Sequence, residues 1–250
     1  MAEPVVTDER LAEVLRVYAG MVGRVLADPE RWLGLDEDPP PTAGFPARAL
    51  DALRDRALGE QTPASASWSE VPVHSRVDWW VTRIGVSAGL AAAAPRFLGA
   101  VADRLPVQAS LGAAAAGLAV CATAQEHGRS DPDEWVPLLA QVLFDRKLEA
   151  TAGPVPDAEE SERQLADSSE EPDEPGAVAK LGRGAQRAAG TLWRLARAFR
   201  ELNELLDRRP RGGRLVRLLG KVPVVGVASG WLDERGGIRK AAEETSALLR

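Results

Sequence analysis

The chain has 250 residues, 45% hydrophobic and 27% charged, which is enough apolar material for a full core and excludes an overall disordered polypeptide. A formal net charge of -6 argues against a general nucleic-acid binder, which needs a cationic excess to displace condensed counterions. The single cysteine, Cys121, rules out an intramolecular disulfide and fits a reducing compartment, so the expected location is the cytoplasm.

The first residues, MAEPVVTDER, are acidic where a secretion signal carries a basic region, and no signal peptide is expected. One Tyr, four Phe and long Ala-rich tracts count against strands, so the chain reads as all-α, a single helical domain. Its first helix is predicted from Thr7 as N-cap to about Asp28, with Leu11, Val14, Leu15, Tyr18, Val22 and Val25 forming one apolar stripe. Prolines within 36–46 end it, because they remove donors and force their predecessors out of helical geometry. A short helix from Ala47 to Leu58 and a polar loop over 59–73 follow.

From Ile84 to Ala124 the only charged residues are Arg96, Asp103 and Arg104. The spacing predicts a helical hairpin over 84–124, turning near Asp103 to Pro106, within an N-terminal helical part that covers 1–150. Small residues at Gly85, Ser87 and Gly89, and at Ala113 to Ala116, allow close helix approach. Alanine is near neutral towards lipid, which leaves open whether protein or lipid buries this hairpin. The next helix is marked at Asp131 as N-cap, Pro132 at the first helical position and Glu134 at N3. It carries Trp135, Leu138, Leu139, Val142 and Leu143 on one face and is expected to end near Leu148.

Residues 151–177 hold nine Asp/Glu against Arg163, eight net negative charges, and four prolines, the composition of a disordered acidic linker. Residues 178–221 then hold twelve Arg/Lys against Glu201, Glu204 and Asp207, a net of plus nine. Within the C-terminal part, 178–250, a basic amphipathic helix is predicted over 186–206. Leu192, Leu195, Ala196, Phe199, Leu202 and Leu206 form its stripe, and Arg187, Arg194, Arg197 and Arg200 lie elsewhere on its surface. Arg208, Arg209 and Arg211 accompany the Pro-Gly stop that ends it. The uncharged run 222–232, closed by Trp231, is shorter than the roughly 20 residues a membrane-spanning helix needs. A last amphipathic helix is predicted from about Gly237 to Leu249.

Two blocks carry a family likeness. The apolar hairpin passes through Ala100-Val-Ala-Asp103-Arg-Leu-Pro106 to Glu126-His-Gly128, and the tail reads Gly220-Lys-Val-Pro-Val-Val-Gly-Val-Ala-Ser-Gly230. In that order they resemble the EcsC-like family of bacterial helical proteins, with His127 where an aromatic residue is usual. The resemblance implies a helical protein working at or near the membrane and brings no catalytic residues with it.

Gly85-Val-Ser87-Ala-Gly89 matches a nucleophile-elbow pattern, and the preceding Val77 to Ile84 is rich in strand-forming residues. A serine hydrolase would add Asp103 and His127, but no further strands and no oxyanion motif accompany them, so Ser87 reads as packed helix and this activity ranks last. His74, His127 and Cys121 do not have metal-ligand number or spacing, and no phosphate-cradling glycine loop is present, so neither metal nor cofactor is expected. His127 fits a helix C-terminal cap and Cys121 fits core packing. Trp79 and Trp80 read either as interfacial anchors or as core.

The function expected from the sequence is non-enzymatic. The leading reading is association with the inner membrane surface or a membrane protein. Its contact set is Arg187, Arg194, Arg197, Arg200, Arg208, Arg209, Arg211 and Trp231, with anionic lipid or a membrane protein as the expected partner and no nucleic acid. The alternative is a soluble protein-interaction or regulatory module in which the acidic linker masks the basic helix. The plain reading of that helix is a core-packed surface helix with Arg-Glu pairs at i, i+4.

Overall fold

The computed structural model describes residues 7–33, 62–63, 65–97, 105–148, 154–166, 183–207 and 230–250. These form helices α1 (Asp8–Ala27), α2 (Pro29–Leu33), α3 (Val73–Phe97), α4 (Leu105–Glu126), α5 (Pro132–Phe144), α6 (Ala158–Ala166), α7 (Arg183–Asp207) and α8 (Gly230–Leu248). A 3-10 turn, Trp68–Glu70, precedes α3, and no strand occurs among the described residues.

The first helix starts where the capping chemistry places it. Thr7 is extended and its hydroxyl accepts from the Arg10 N–H, and every member of the predicted stripe is buried. The centre of the fold is α4, which packs against α1, α3, α5, α7 and α8. A helix enclosed this way has to be apolar all round, and Leu111, Ala114, Ala115, Leu118, Val120, Cys121 and Ala122 bury several sides of it. Other helices of the chain therefore cover the described part of α4, 110–126, and none of the described helices is long and apolar enough to cross a membrane.

Close approach at α4 rests on Gly117. A Cβ there would stand 2.8 Å from Tyr18 Oη and 2.9 Å from its Cε1. The Tyr18 hydroxyl donates to the Ala114 carbonyl at 2.6 Å, and its ring meets Phe199 edge-on at 4.5 Å. One aromatic side chain thus joins α1, α4 and α7.

The chain leaves α4 through Gly128, whose φ of 85° lies in the left-handed region that favours glycine. Gly128 N–H donates to Gln125 and Arg129 N–H to Ala124, a Schellman closure. His127 is the first residue beyond the helix. The Asp131 carboxylate then accepts from the Asp133 N–H, with Pro132 inside the first turn, and starts α5.

Several expectations need amending. Residues 77–84 are helical, not strand-like: α3 begins at Val73, and Trp80, Ile84 and Ala88 recur every four residues on its buried side. Trp79 and Trp80 are buried and stack edge-on 4.9 Å apart, so they are core residues. The α5 helix stops at Phe144 instead of Leu148, because Asp145 adopts the left-handed conformation. The last helix starts at Gly230, so Gly236 and Gly237 lie inside it.

The acidic segment also departs from a disordered linker over 154–166. Asp157 accepts from the Glu160 N–H to cap α6, and Leu165 is fully buried. Gly20 of α1 is bare enough for Ser161 to press against it, since a Cβ there would lie 2.5 Å from Ser161 Oγ. The Val155 N–H adds a bond to Asp133 of α5. The helix expected over 47–58, the proline-rich break at 36–46 and the 103–104 half of the expected turn lie outside the described residues, while Leu105 and Pro106, expected in that turn, already belong to α4.

Candidate anion-binding cleft

Asp28 does two jobs at the junction of α1 and α2. Its N–H donates to the Arg24 carbonyl and ends α1, while its carboxylate accepts from the Arg31 N–H and starts α2 at Pro29. The single turn of α2 then buries Trp32 and Leu33 and leaves Arg31 at the surface. From α3, the buried Arg83 donates to the Leu33 carbonyl and closes the end of that turn. From α7, Thr191 Oγ1 donates to the Trp32 carbonyl at 2.7 Å.

Arg187, Thr191 and Arg194 are spaced i, i+4, i+7 and share one side of α7. They meet Arg31 and Trp32 across an open cleft of about 340 Å³. The Arg31 guanidinium carbon sits 4.8 Å above the centre of the Trp32 ring. The Trp32 Nε1 is buried without an acceptor among the described residues, so packing and the Arg31 contact alone hold the ring. Leu192, Leu195, Ala196 and Phe199 of the same helix are buried in the core.

Glu162 of α6 stands at the edge of this cleft. One of its oxygens takes Arg31 Nη1 at 2.8 Å and the other takes Arg24 Nη2 at 2.9 Å. The hydrogen bond from Arg31, then that from Arg24, holds its carboxyl below the usual range. An acidic side chain is therefore already coordinated by two arginines, one of which, Arg31, also lines the cleft.

Another carboxylate is enclosed elsewhere. Glu126 Oε1 accepts from the indole N–H groups of Trp68 at 3.1 Å and Trp80 at 2.8 Å. Its Oε2 lies 2.7 Å from Arg76 Nε, and Arg76 also donates to the Glu126 carbonyl at the end of α4. Both oxygens are occupied, which suits a structural tie and not proton transfer. Ser87 is buried inside α3, and the strand-turn-helix of a nucleophile elbow is absent around it. Among the described residues no group of three or more His, Cys, Asp or Glu is placed to hold a metal ion.

Of the sequence-predicted contact residues, Arg187 and Arg194 come together at the cleft. Arg197 is half-buried on α7 and is not part of its lining. Arg200 lies on α7 and Trp231 in the first turn of α8, with their side chains outside the described set. Arg208, Arg209, Arg211 and the run 222–229 are outside it altogether. Sequence reasoning missed Arg31, Trp32, Thr191 and Glu162. The Asp28-Pro29 helix start and the i, i+4, i+7 spacing on α7 were the available signals. No protein-family model, curated protein or solved structure matches the chain.

Proposed function

We propose that the protein is a non-enzymatic helical module that docks on an anionic membrane surface through the arginine-bearing side of α7 and the adjoining cleft. The observation that carries this reading is the convergence of Arg31, Arg187 and Arg194 on an open cleft, beside an apolar stripe already used in the core. What α7 offers outward there is charge, which favours head groups over acyl chains. Each arginine near an anionic surface contributes on the order of 1 kcal/mol. The resemblance to the EcsC-like family points in the same direction.

Sedimentation with vesicles of phosphatidylglycerol and of phosphatidylcholine tests the reading. Binding that needs the anionic lipid and persists at physiological salt supports it; no binding to either sinks it. A second reading, a soluble regulatory module with its acidic segment held against its own arginines, is favoured by the Glu162 contacts to Arg24 and Arg31. It expects no capture by either vesicle, in the wild type or after deletion of 157–174.

A further inference from the structure

We infer that the cleft between α2 and α7 is a binding site for a phosphate monoester, with Glu162 as the internal carboxylate that competes for Arg31. This deepens the surface-docking reading and rests on it for the lipid source of the phosphate, though not for the site itself.

Three features select the ligand class. The cleft is lined by Arg31, Arg187 and Arg194, residues whose guanidinium groups are planar forks that match tetrahedral oxyanions by paired hydrogen bonds. Among the described residues no carboxylate pairs with Arg194, so its charge is not neutralised within the cleft. Among the described residues Arg31 is answered at the edge, by the half-exposed Glu162, which it shares with Arg24. A phosphate monoester carries about -1.5 to -2 charges at pH 7 and matches two or three guanidinium groups better than the single charge of a diester does.

The position of Glu162 supplies the second, independent indication. Its carboxylate already occupies Arg31 at 2.8 Å, showing that the guanidinium is presented to an oxyanion at the edge of the cleft. Trp32 forms the floor under Arg31 and keeps the guanidinium plane in place. Thr191 also lines the cleft, but its hydroxyl proton is committed to the Trp32 carbonyl, so it supplies no donor and the arginines carry recognition.

The test compares the full chain with Arg31→Gln, Arg194→Gln and Glu162→Gln, and with Lys240→Gln as a charge-matched change outside the cleft. Arg187→Gln, at an exposed position, replaces any cleft variant whose circular dichroism shows a disturbed fold. Vesicles of phosphatidic acid, a monoester, and of phosphatidylglycerol, a diester, are matched for surface charge, and inorganic phosphate is titrated separately by calorimetry. The expected result is tighter binding to phosphatidic acid, weakened about tenfold by each arginine change, as loss of a charged hydrogen bond requires, and unaffected by Lys240→Gln. Glu162→Gln is expected to strengthen it several-fold.

Saturable binding of inorganic phosphate that the arginine variants lose, with no vesicle binding, keeps the site, assigns it to a free phosphate compound and overturns membrane docking. Equal binding to both lipids that is indifferent to Arg31→Gln and Arg194→Gln keeps membrane docking and overturns the cleft site. Absence of both vesicle and phosphate binding overturns both.

Discussion

Glu126 and Glu162 each face arginine, but one sits in a dry knot between α3 and α4 while the other stands at the open edge of the α2/α7 cleft. Around Glu126, two indoles and one guanidinium leave no oxygen for a ligand, and the side chain is 7% exposed. Around Glu162 the side chain is 34% exposed, and one of the two arginines it holds, Arg31, also borders the cleft. Saturated, buried ion pairs fix geometry, because removing one partner strands the other. Half-exposed pairs are screened and exchange with solvent or with competing anions, which is what a binding edge requires.

The sharpest way to break this contrast is Glu126→Ala. It strands Arg76 and two indole N–H groups at once, and a loss of about 3–5 kcal/mol in urea unfolding is expected. A loss below about 1 kcal/mol would mean that the knot is peripheral to stability and that the contrast fails. Gly117→Ala comes next. The added methyl meets the buried Tyr18 ring, which is held by its bond to Ala114, and about 1–3 kcal/mol of destabilisation is expected from overpacking.

A smaller and local effect is expected on acidification. Because the Glu162 carboxyl is depressed below its ordinary value of 4.5, its contribution to α6 docking is complete above that pH and is lost as pH falls through the lowered value. The protection of 158–166 against hydrogen exchange, relative to the intrinsic rate at each pH, should therefore fall below about pH 4.5 in the wild type, and Glu162→Gln should already show the lower protection at pH 7. Unchanged protection in that variant would assign α6 docking to Leu165 and Ser161 alone. The smallest effect concerns Cys121, which touches neither glutamate. Burial raises its thiol pKa and shields it, so alkylation of the native protein should be negligible and should follow global unfolding.

Local chemistry was legible in the sequence and long-range chemistry was not. Asp131, Pro132 and Glu134 mark the start of α5 because capping is decided within one turn. The Thr7 start and the apolar stripe of α1 are equally local. Residues 77–84 are rich in Val, Trp and Ile, which favour strands in isolation, while burial of Trp80, Ile84 and Ala88 at helical spacing overrides that preference. Acidic composition hid α6, whose order depends on a bare spot at Gly20 and on arginines of α1 and α2. The cleft could be read only in part: Arg187 and Arg194 share one helix face, but Arg31 reaches them from more than 150 residues away in sequence.

The central position of α4 has a consequence for synthesis. This helix is complete at residue 126, while two of the helices that cover it begin at 183 and 230. At about 5–20 residues per second, the hundred or so residues to α8 take on the order of 5–20 s to make. During that interval this enclosed, apolar helix lacks two of its final neighbours. A nascent chain arrested before residue 183 is the form expected to recruit chaperones or aggregate, even though α1, α3 and α5 have already been made.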